Sequence, residues 1–143
     1  MDALSHDAFK SMIEDLIPFN HFLGVRLESA DPAAGRVVTR LPLRSEFIGN
    51  ALRDMPHGGI VSAFIDASAG AAAALSLADP GMADRLATID MRVDYLRAAR
   101  GKALLASAEV MRSGRRVIVV RVDVRDDAGT LVALGSAAFN IAR

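Results

Sequence analysis

The feature that most constrains this chain is a long apolar segment from Pro56 to Leu77, with the sequence PHGGIVSAFIDASAGAAAALSL. From Gly58 to Leu77 it has no Lys, Arg or Glu, and Asp66 is its single ionisable side chain. Its length, its many alanines and the absence of proline after Pro56 favour a helix over a strand. A helix that is apolar on every face is typical of a protein interior. We therefore predict a central helix over about residues 57–78, buried almost all round.

Two features of this helix predict chemistry. Gly58 and Gly59 lie at its start, where backbone N–H groups lack partners within the helix and the dipole leaves partial positive charge. Neither residue has a Cβ, so a ligand oxygen can approach closely. Asp66 follows about two turns later, and an ionised carboxylate in a dry core is costly. We expect Asp66 to be hydrogen-bonded or to line a cavity, beside small neighbours at helical spacing: Ser62, Ala69, Gly70 and Ala73.

The same segment must also be considered as a membrane span, because its length is close to the twenty or so residues that a bilayer needs. Its residues are mostly Ala, Gly and Ser, and a central aspartate costs about 3 kcal/mol on insertion scales. We therefore predict burial inside a protein and no membrane partner.

Charge and cysteine content exclude several classes of function. Seventeen basic residues balance seventeen acidic ones among 143 residues, which gives no overall attraction to nucleic acid. The chain has no cysteine, so disulfides, thiolate metal sites and a cysteine nucleophile are excluded. No His, Asp and Glu cluster has ligand spacing, and we expect neither metal nor cofactor. The first residues do not resemble a signal peptide, which indicates a cytoplasmic protein.

The remaining sequence predicts one more helix and a set of strands. An apolar stripe over about residues 5–17 predicts an amphipathic helix that Pro18 ends; its members are Leu4, Ala8, Phe9, Met12, Ile13, Leu16 and Ile17. A loop over residues 44–56 leads into the central helix. Runs with strand character lie at about residues 24–30, 36–43, 86–95, 103–112, 116–126 and 130–141.

Short turns between these runs imply antiparallel pairing. The prediction is one α+β domain over residues 1–143, in which a curved antiparallel sheet of about six strands wraps the central helix. Such a sheet leaves its outer face and its edges to be covered. We therefore expect at least a dimer.

Several motifs together resemble a known family. HGGIVSAFID places Asp66 nine positions after His57, with GNALRDMP before it and TIDMRVDYLRAARG after it. This arrangement resembles the hotdog fold, specifically the acyl-CoA thioesterases of the phenylacetate-degradation type, over about residues 23–141. The closing GRRVIVVRVDVRDDAGTLVALGSAAFNI is similar to the last two strands of that family. The resemblance implies hydrolysis of acyl-CoA to free acid and CoA by a homodimer, or by a tetramer built as a dimer of dimers, with active sites at the subunit interface.

The resemblance also implies roles for single residues. The N–H of Gly58 or Gly59 would polarise the thioester carbonyl as an oxyanion hole. Asp66 would act as general base on water, or as nucleophile through a mixed anhydride, on substrate bound mainly by the other subunit. Thr88 matches a hydroxyl that orients water, and Asn50, seven residues before His57, matches a loop amide near the thioester.

Other side chains are candidates for contact with the substrate. His57 precedes the helix, and we interpret it as a cap or a loop-fixing residue rather than a base. Arginines near the mouth of the cleft could meet nucleotide phosphates: Arg53, Arg92, Arg97, Arg115 and Arg116. Apolar residues that could line an acyl tunnel, for a medium-chain or aromatic group, are Phe64, Met55, Leu52, Phe47 and Ile48.

Each role has a structural alternative. Asp66 could bond a neighbouring backbone group, the two glycines could only let the helix pack close to a strand, and Thr88 could be an ordinary strand residue. Two rival functions also remain: a hydratase or dehydratase acting on acyl thioesters, and a non-catalytic acyl-CoA binder or sensor. Release of free CoA separates a hydrolase from both.

Overall fold

A computed structural model describes residues 5–142 of the chain. Its helices and turns are α1 (His6–Ser11), a π-helical turn (Met12–Leu16), α2 (Pro18–Leu23), a 3-10 turn (Ser45–Phe47), α3 (Gly58–Leu75) and a second 3-10 turn (Pro80–Arg85). Its strands are β1 (Arg26–Asp31), β2 (Arg36–Pro42), β3 (Ile48–Asn50), β4 (Met55–Pro56), β5 (Leu86–Tyr95), β6 (Ala103–Ser113), β7 (Val117–Asp126) and β8 (Leu131–Ile141).

Six strands form one antiparallel sheet in the order β1-β2-β6-β7-β8-β5, and β3 pairs with β4 in a separate hairpin. The strands β1 and β5 are therefore the two edges of the sheet. Along β7, Ile118, Val120, Val122 and Val124 are fully buried, while the residues between them point outwards. The predicted α+β architecture, with a six-stranded antiparallel sheet and a central helix, is confirmed.

The helix α3 lies on the inner face of the sheet, but it is buried on one side only. Its buried residues, which include Phe64, Ile65, Ala69 and Ala72, point at the sheet. A Cβ on Gly135 of β8 would lie 2.5 Å from Cγ2 of Ile65, so glycine is what allows this close approach. The opposite face is only half-buried, contrary to the expectation of burial all round, because one sheet covers one side of a helix. By length and composition alone α3 would suffice to cross a membrane, yet here it is the core helix.

One polar contact joins α3 to the sheet. The hydroxyls of Ser68 on α3 and Thr39 on β2 lie 2.7 Å apart, and both side chains are fully buried. Ser68 Oγ also donates to the Phe64 carbonyl at 2.7 Å. Since that donation uses the proton of Ser68, Thr39 is the donor in the bond between the two hydroxyls.

The N-terminal region differs from the single helix that the apolar stripe predicts. Pro18 does not end a helix but begins α2, where its missing N–H and fixed φ suit the first helical position. The π-helical turn adds a residue to one turn. Phe9 and Ile13 consequently face the core, whereas Leu16 is turned outwards and is 71% exposed. Leu4 lies outside the described residues.

Buried polar bonds hold this N-terminal region against the rest of the protein. The Glu14 carboxylate is 6% exposed; it accepts from the Leu27 N–H at 2.8 Å and from the Arg26 guanidinium at 3.0 Å. Asn20 Nδ2 donates to the Ile13 carbonyl at 3.1 Å. These bonds fix the π-helical turn and α2 beside β1.

Candidate active site

The start of α3 leaves one backbone donor open. His57 caps the helix, and its Nδ1 accepts from the Gly59 N–H at 2.8 Å. The His57 N–H in turn donates to the Phe47 carbonyl at 2.7 Å. Within residues 5–142, no hydrogen-bond partner is found for the Gly58 N–H. Of the two glycines that the sequence offers as an oxyanion hole, the geometry therefore leaves Gly58 as the donor for a ligand.

The β3–β4 hairpin brings Asn50 to this helix start. A Cβ on Gly49 would lie 2.7 Å from the His57 Cα, so only glycine lets the hairpin come this close. The Asn50 Oδ1 accepts from the N–H groups of Leu52 at 3.1 Å and Arg53 at 3.3 Å. These bonds use the accepting oxygen of the amide, and its donor, Nδ2, takes no part in them and can donate to a ligand.

Tyr95, at the end of β5, contacts the start of α3, which the sequence argument missed. Its hydroxyl donates to the Gly58 carbonyl at 2.8 Å and is also hydrogen-bonded to Ser62 Oγ. A Cβ on Gly58 would lie 3.4 Å from the Tyr95 ring. The available signal was the spacing D-x-x-V-x-Y from Asp90 to Tyr95, which served only as a mark of resemblance.

Asp66 has a hydrogen-bond partner on β5. Thr88 Oγ1 donates to Asp66 Oδ1 at 2.8 Å, and the Asp66 side chain is half-buried. The same carboxylate lines a cavity, so both expectations for a buried aspartate are met together. Two of its predicted small neighbours, Ala69 and Ala73, instead lie fully buried against the sheet.

Two separate cavities flank α3. The first, of about 410 Å³, lies beside Gly58; its lining is Met55, Pro56, Gly58, Val61, Tyr95, Leu96, Arg97, Ala98, Ala99 and Val132. The second, of about 450 Å³, lies beside Asp66; its lining is Met12, Ile13, Ile17, Asn20, Asp66, Ala67, Gly70, Ala71, Ala74, Ala83, Asp84, Leu86, Thr88 and Phe139. No group of three acidic or histidine side chains in residues 5–142 comes together as metal ligands.

The other predicted contact residues are scattered. Phe64 is fully buried on the sheet-facing side of α3 and lines neither cavity. Leu52 is 99% exposed. Arg97 lines the Gly58 cavity. Arg115 and Arg116 lie at the β6–β7 turn, at a further cavity that shares no residue with these two.

The candidate residues thus fall into two separate groups rather than one. We call Asn50, Gly58 and Tyr95 the glycine half-site, and Asp66 with Thr88 the aspartate half-site. Gly58 and Asp66 are eight residues apart on one helix, which is about 12 Å along its axis. A hydrogen bond spans about 3 Å. One carbonyl group therefore cannot contact both halves within a single chain.

Comparison with known proteins identifies the family. A model of the thioesterase superfamily matches residues 55–133. The medium/long-chain acyl-CoA thioesterase YigI of Salmonella typhimurium is 29% identical over 136 residues, covering 87% of this chain and 86% of that protein. A solved structure described as a thioesterase, from Syntrophus aciditrophicus, is 32% identical, covers 94% of both chains and has a TM-score of 0.81.

A phenylacetic acid degradation-related protein of Ralstonia eutropha has the same fold, with a TM-score of 0.80 and 24% sequence identity. The match covers 93% of this chain and 98% of that one. The resemblance seen in the HGG and aspartate motifs is therefore confirmed. Because the family model covers more than half of the sequence, this chain belongs to the thioesterase superfamily and has its hotdog fold.

Proposed function

We propose that this protein hydrolyses acyl-CoA thioesters to free acid and CoA. The observation that carries the proposal is the pair of half-sites. One offers the Gly58 N–H at the helix start, which has no hydrogen-bond partner among residues 5–142. The other offers the Asp66 carboxylate, which Thr88 holds beside an apolar cavity. Membership of the thioesterase superfamily and the likeness to a relative named as an acyl-CoA thioesterase support it.

In this proposal a second copy of the chain completes each site. The strand β5 carries Thr88 near its beginning and Tyr95 at its end. In the described part of the chain β5 is an edge strand, with β8 as its one neighbour in the sheet. Antiparallel pairing of β5 with its copy, about a two-fold axis between Met91 and Arg92, sets Thr88 opposite the partner's Tyr95. The aspartate half-site of one copy then meets the glycine half-site of the other, twice in each homodimer.

A tetramer would arise if two such dimers pair, and the reaction needs only the dimer. The half-buried face of α3 also fits this assembly, because Asp66, Ala67 and Gly70 lie on the side that the sheet of their own chain leaves uncovered. A cytoplasmic location accompanies the proposal, since a chain without cysteine is compatible with a reducing compartment.

The reaction proceeds through addition of water and loss of the thiolate. The carbonyl oxygen accepts from the Gly58 N–H, at the positive end of the α3 dipole, and from Asn50 Nδ2. Asp66 from the second copy takes a proton from water, whose oxygen attacks the carbonyl carbon. The tetrahedral intermediate collapses, the carbon–sulfur bond breaks, and the proton passes from Asp66 to the CoA sulfur. Thr88 occupies Oδ1 of Asp66, which leaves Oδ2 to accept from the water.

The CoA portion of the substrate would lie in the cavity beside Gly58. Arg97 lines that cavity and Arg53 adjoins Asn50, so these two are our candidates for the CoA phosphates. The Arg115–Arg116 turn is farther away. Val117 of β7 pairs with Asn140 of β8, and Asn140 pairs with Ala87 of β5, so the turn lies two strands from the Thr88 end of β5.

Release of free CoA thiol from a series of acyl-CoAs tests the proposal. Asp66→Ala should keep the fold and lose about two to four orders of magnitude in turnover, the usual contribution of a general base. Asp123→Asn is the matched control, because this carboxylate pairs with Arg121 on the outer face of the sheet. Its turnover should equal that of the unmodified protein.

Three results would contradict the proposal in different ways. Tight binding without release of CoA would indicate a binder or sensor. A hydrated or dehydrated acyl-CoA product would indicate the hydratase alternative. Full turnover by Asp66→Ala would remove Asp66 from the reaction. In single-turnover hydrolysis in ¹⁸O-labelled water, label in the Asp66 carboxylate would show a mixed anhydride that water opens at the Asp66 carbonyl carbon. Trapping the acyl-enzyme with hydroxylamine would detect the anhydride whichever carbonyl carbon water attacks.

A further inference from the structure

The cavity beside Asp66 has the chemistry of a site for an uncharged apolar group. Its volume of about 450 Å³ is within the range of small-molecule pockets. Most of its lining is aliphatic or aromatic, and Asp66 and Asp84 are its charged groups. Within residues 5–142 its lining holds no lysine or arginine, and the two aspartates oppose the phosphates of CoA. The amide of Asn20 donates to the Ile13 carbonyl and is not left unpaired in the cavity.

The cavity extends along α3 away from the carboxylate. Asp66, Gly70 and Ala74 lie on one face of the helix at four-residue spacing, and all three line the cavity. From Asp66 to Ala74 the helix rises about 12 Å. An extended methylene chain with carbon–carbon bonds of about 1.5 Å advances about 1.25 Å per carbon. The cavity therefore has room for about ten carbons in line with the reacting carbonyl.

Glycine and alanine on α3 provide the width that such a chain needs. A Cβ on Gly70 would have the Phe139 ring at 3.7 Å as its nearest neighbour, which is ordinary contact. The space in front of Gly70 therefore admits at least a methyl group, with an aromatic ring at its side. A larger residue at position 70 or 74 would occupy it without disturbing the sheet-facing side of α3.

The opposite wall comes from the N-terminal region. Met12, Ile13 and Ile17 line the cavity from the π-helical turn and the residue after it. This wall is held in place, because Glu14 is bonded to β1 and Asn20 is bonded back to Ile13. A fixed wall sets a limit on the size of the occupant, whereas a loose one would adapt to it. Ile17 is 39% exposed and lies at the rim.

We infer that this cavity binds the acyl chain of the substrate, a linear chain of about ten carbons, and that Ala74 and Ile17 set its length limit. The inference rests on the proposed function, of which it specifies the substrate class. It replaces the predicted acyl tunnel, none of whose residues lines the cavity: Phe64, Met55, Leu52, Phe47 and Ile48. Met55 lines the Gly58 cavity instead. The Gly58 cavity, with Arg97, is left to the CoA portion.

Substitutions that shorten and lengthen the cavity test the inference. The measurement is kcat/KM for straight-chain substrates from acetyl-CoA to palmitoyl-CoA. Ala74→Leu should lower kcat/KM for decanoyl-CoA by about tenfold or more and leave butyryl-CoA within about threefold, as expected when methylene groups lose their pocket. Ile17→Ala should shift the preference in the opposite direction, towards myristoyl-CoA and palmitoyl-CoA.

Ala78→Leu is the matched control, since Ala78 is exposed, follows α3 and does not line the cavity. Its chain-length profile should match that of the unmodified protein. If Ala74→Leu does not fold, Gly70→Ala takes its place: its added methyl makes only ordinary contact and favours the helix. It should weaken decanoyl-CoA relative to butyryl-CoA.

The inference and the proposed function fail in distinguishable ways. If the protein releases CoA but all variants keep one chain-length profile, the cavity assignment is overturned and the hydrolase stands. If no acyl-CoA is hydrolysed, the hydrolase falls, and calorimetric binding of decanoyl-CoA still tests the cavity. Equal affinities of Ala74→Leu and the unmodified protein for decanoyl-CoA would overturn the assignment. A preference for benzoyl-CoA or phenylacetyl-CoA over every straight chain would do so as well.

Discussion

Gly58 and Gly59 are adjacent in the sequence, yet the capping imidazole of His57 gives them different roles. Nδ1 of His57 binds the second N–H of the helix and leaves the first one open, so the cap both begins α3 and selects the donor. Tyr95 adds a bond to the carbonyl of the same Gly58. Both bonds hold the Gly58–Gly59 peptide group. The peptide group that carries the Gly58 N–H is held by its His57 carbonyl, which accepts from the N–H groups of Ile60 at 2.9 Å and Val61 at 3.3 Å. The donor therefore has a fixed direction, as electrostatic stabilisation of an oxyanion requires.

Asn50 has two functions that one pair of substitutions separates. Its oxygen stabilises the turn at Leu52 and Arg53, and its Nδ2 is the proposed donor to the carbonyl oxygen. Asn50→Asp keeps the acceptor and removes the donor, while Asn50→Ala removes both. We expect each to lower turnover by about a hundredfold, the low end of the loss for one oxyanion-hole donor and a smaller loss than that of Asp66→Ala.

The measurement is kcat from CoA thiol release, with thermal unfolding as the readout for the turn. If Asn50→Asp retains full kcat, Asn50 serves only the loop. A loss larger than that of Asp66→Ala would mean that the amide, not the carboxylate, makes the main contribution to the reaction.

Among the elements, the N-terminal region depends on an ionised side chain. Burial raises the pKa of Glu14, but the hydrogen bonds from Leu27 and Arg26, with the charges of Lys10 and Arg26, outweigh it. The net pKa of the carboxyl lies below its ordinary value. A lowered pKa in the folded state stabilises the protein at pH values above the unfolded pKa, about 4.3 for glutamate. This contribution is lost as the pH falls through the folded pKa.

Glu14→Gln should therefore flatten the acid side of the stability profile. At neutral pH we expect it to lower the free energy of unfolding by about 1 kcal/mol, because the amide oxygen still accepts from Leu27 and only the charge is lost. Below the pKa of the folded state the difference should vanish. Urea unfolding between pH 3 and pH 7 measures it, with the exposed Glu28→Gln as control. A constant difference over this range would contradict the assignment.

The sequence predicted the sheet better than the N-terminal helices. The alternation in β7 and the turns after β6 and β7 indicate where chain direction reverses, and the strand β5 was predicted at its observed bounds, Leu86–Tyr95. Pro18 was misinterpreted because proline is compatible both with the end of one helix and with the first position of the next. The π-helical turn has no short-range signature that would have revealed it.

The sequence predicted only those site residues that stand out from their immediate neighbours in the chain. Asp66 stands out as a lone charge in an apolar helix, and Gly58 lies at the start of that helix. The contacts of Tyr95 and Gly49 with the start of α3 were not predicted. Tyr95 is 37 residues from Gly58 in the sequence, and Gly49 approaches His57 across the β3–β4 hairpin. The lining of the Asp66 cavity combines four separate stretches of chain, which periodicity in one stretch cannot reveal.

At the scale of the whole molecule, the two half-sites predict complementation between inactive chains. Asp66→Ala removes the base, and Gly58→Val fills the space beside the open N–H. In a hybrid dimer of the two, one site carries both defects and the other carries neither. The hybrid should have about half the activity of the unmodified dimer, although each parent variant is nearly inactive.

Coexpression with two affinity tags isolates the hybrid, and CoA release measures its activity. Its control is the hybrid of Asp66→Ala with unmodified chain, which should also retain about half. An inactive hybrid of Asp66→Ala and Gly58→Val, alongside an active control, would place both groups in the same site of one chain and would contradict the interface arrangement.

The buried hydroxyl pair between Thr39 and Ser68 has a consequence for how the helix is oriented. Phe64 and Ile65 pack the first half of α3 against the sheet, but the helix beyond them is mostly alanine and glycine, whose small side chains alone oppose rotation about the helix axis only weakly. Ser68 is held towards β2. Asp66, two residues earlier, is about 200° away around the helix, so it points away from the sheet. Two hydroxyl groups sealed beneath α3, out of reach of any substrate, therefore determine the direction in which the carboxylate faces.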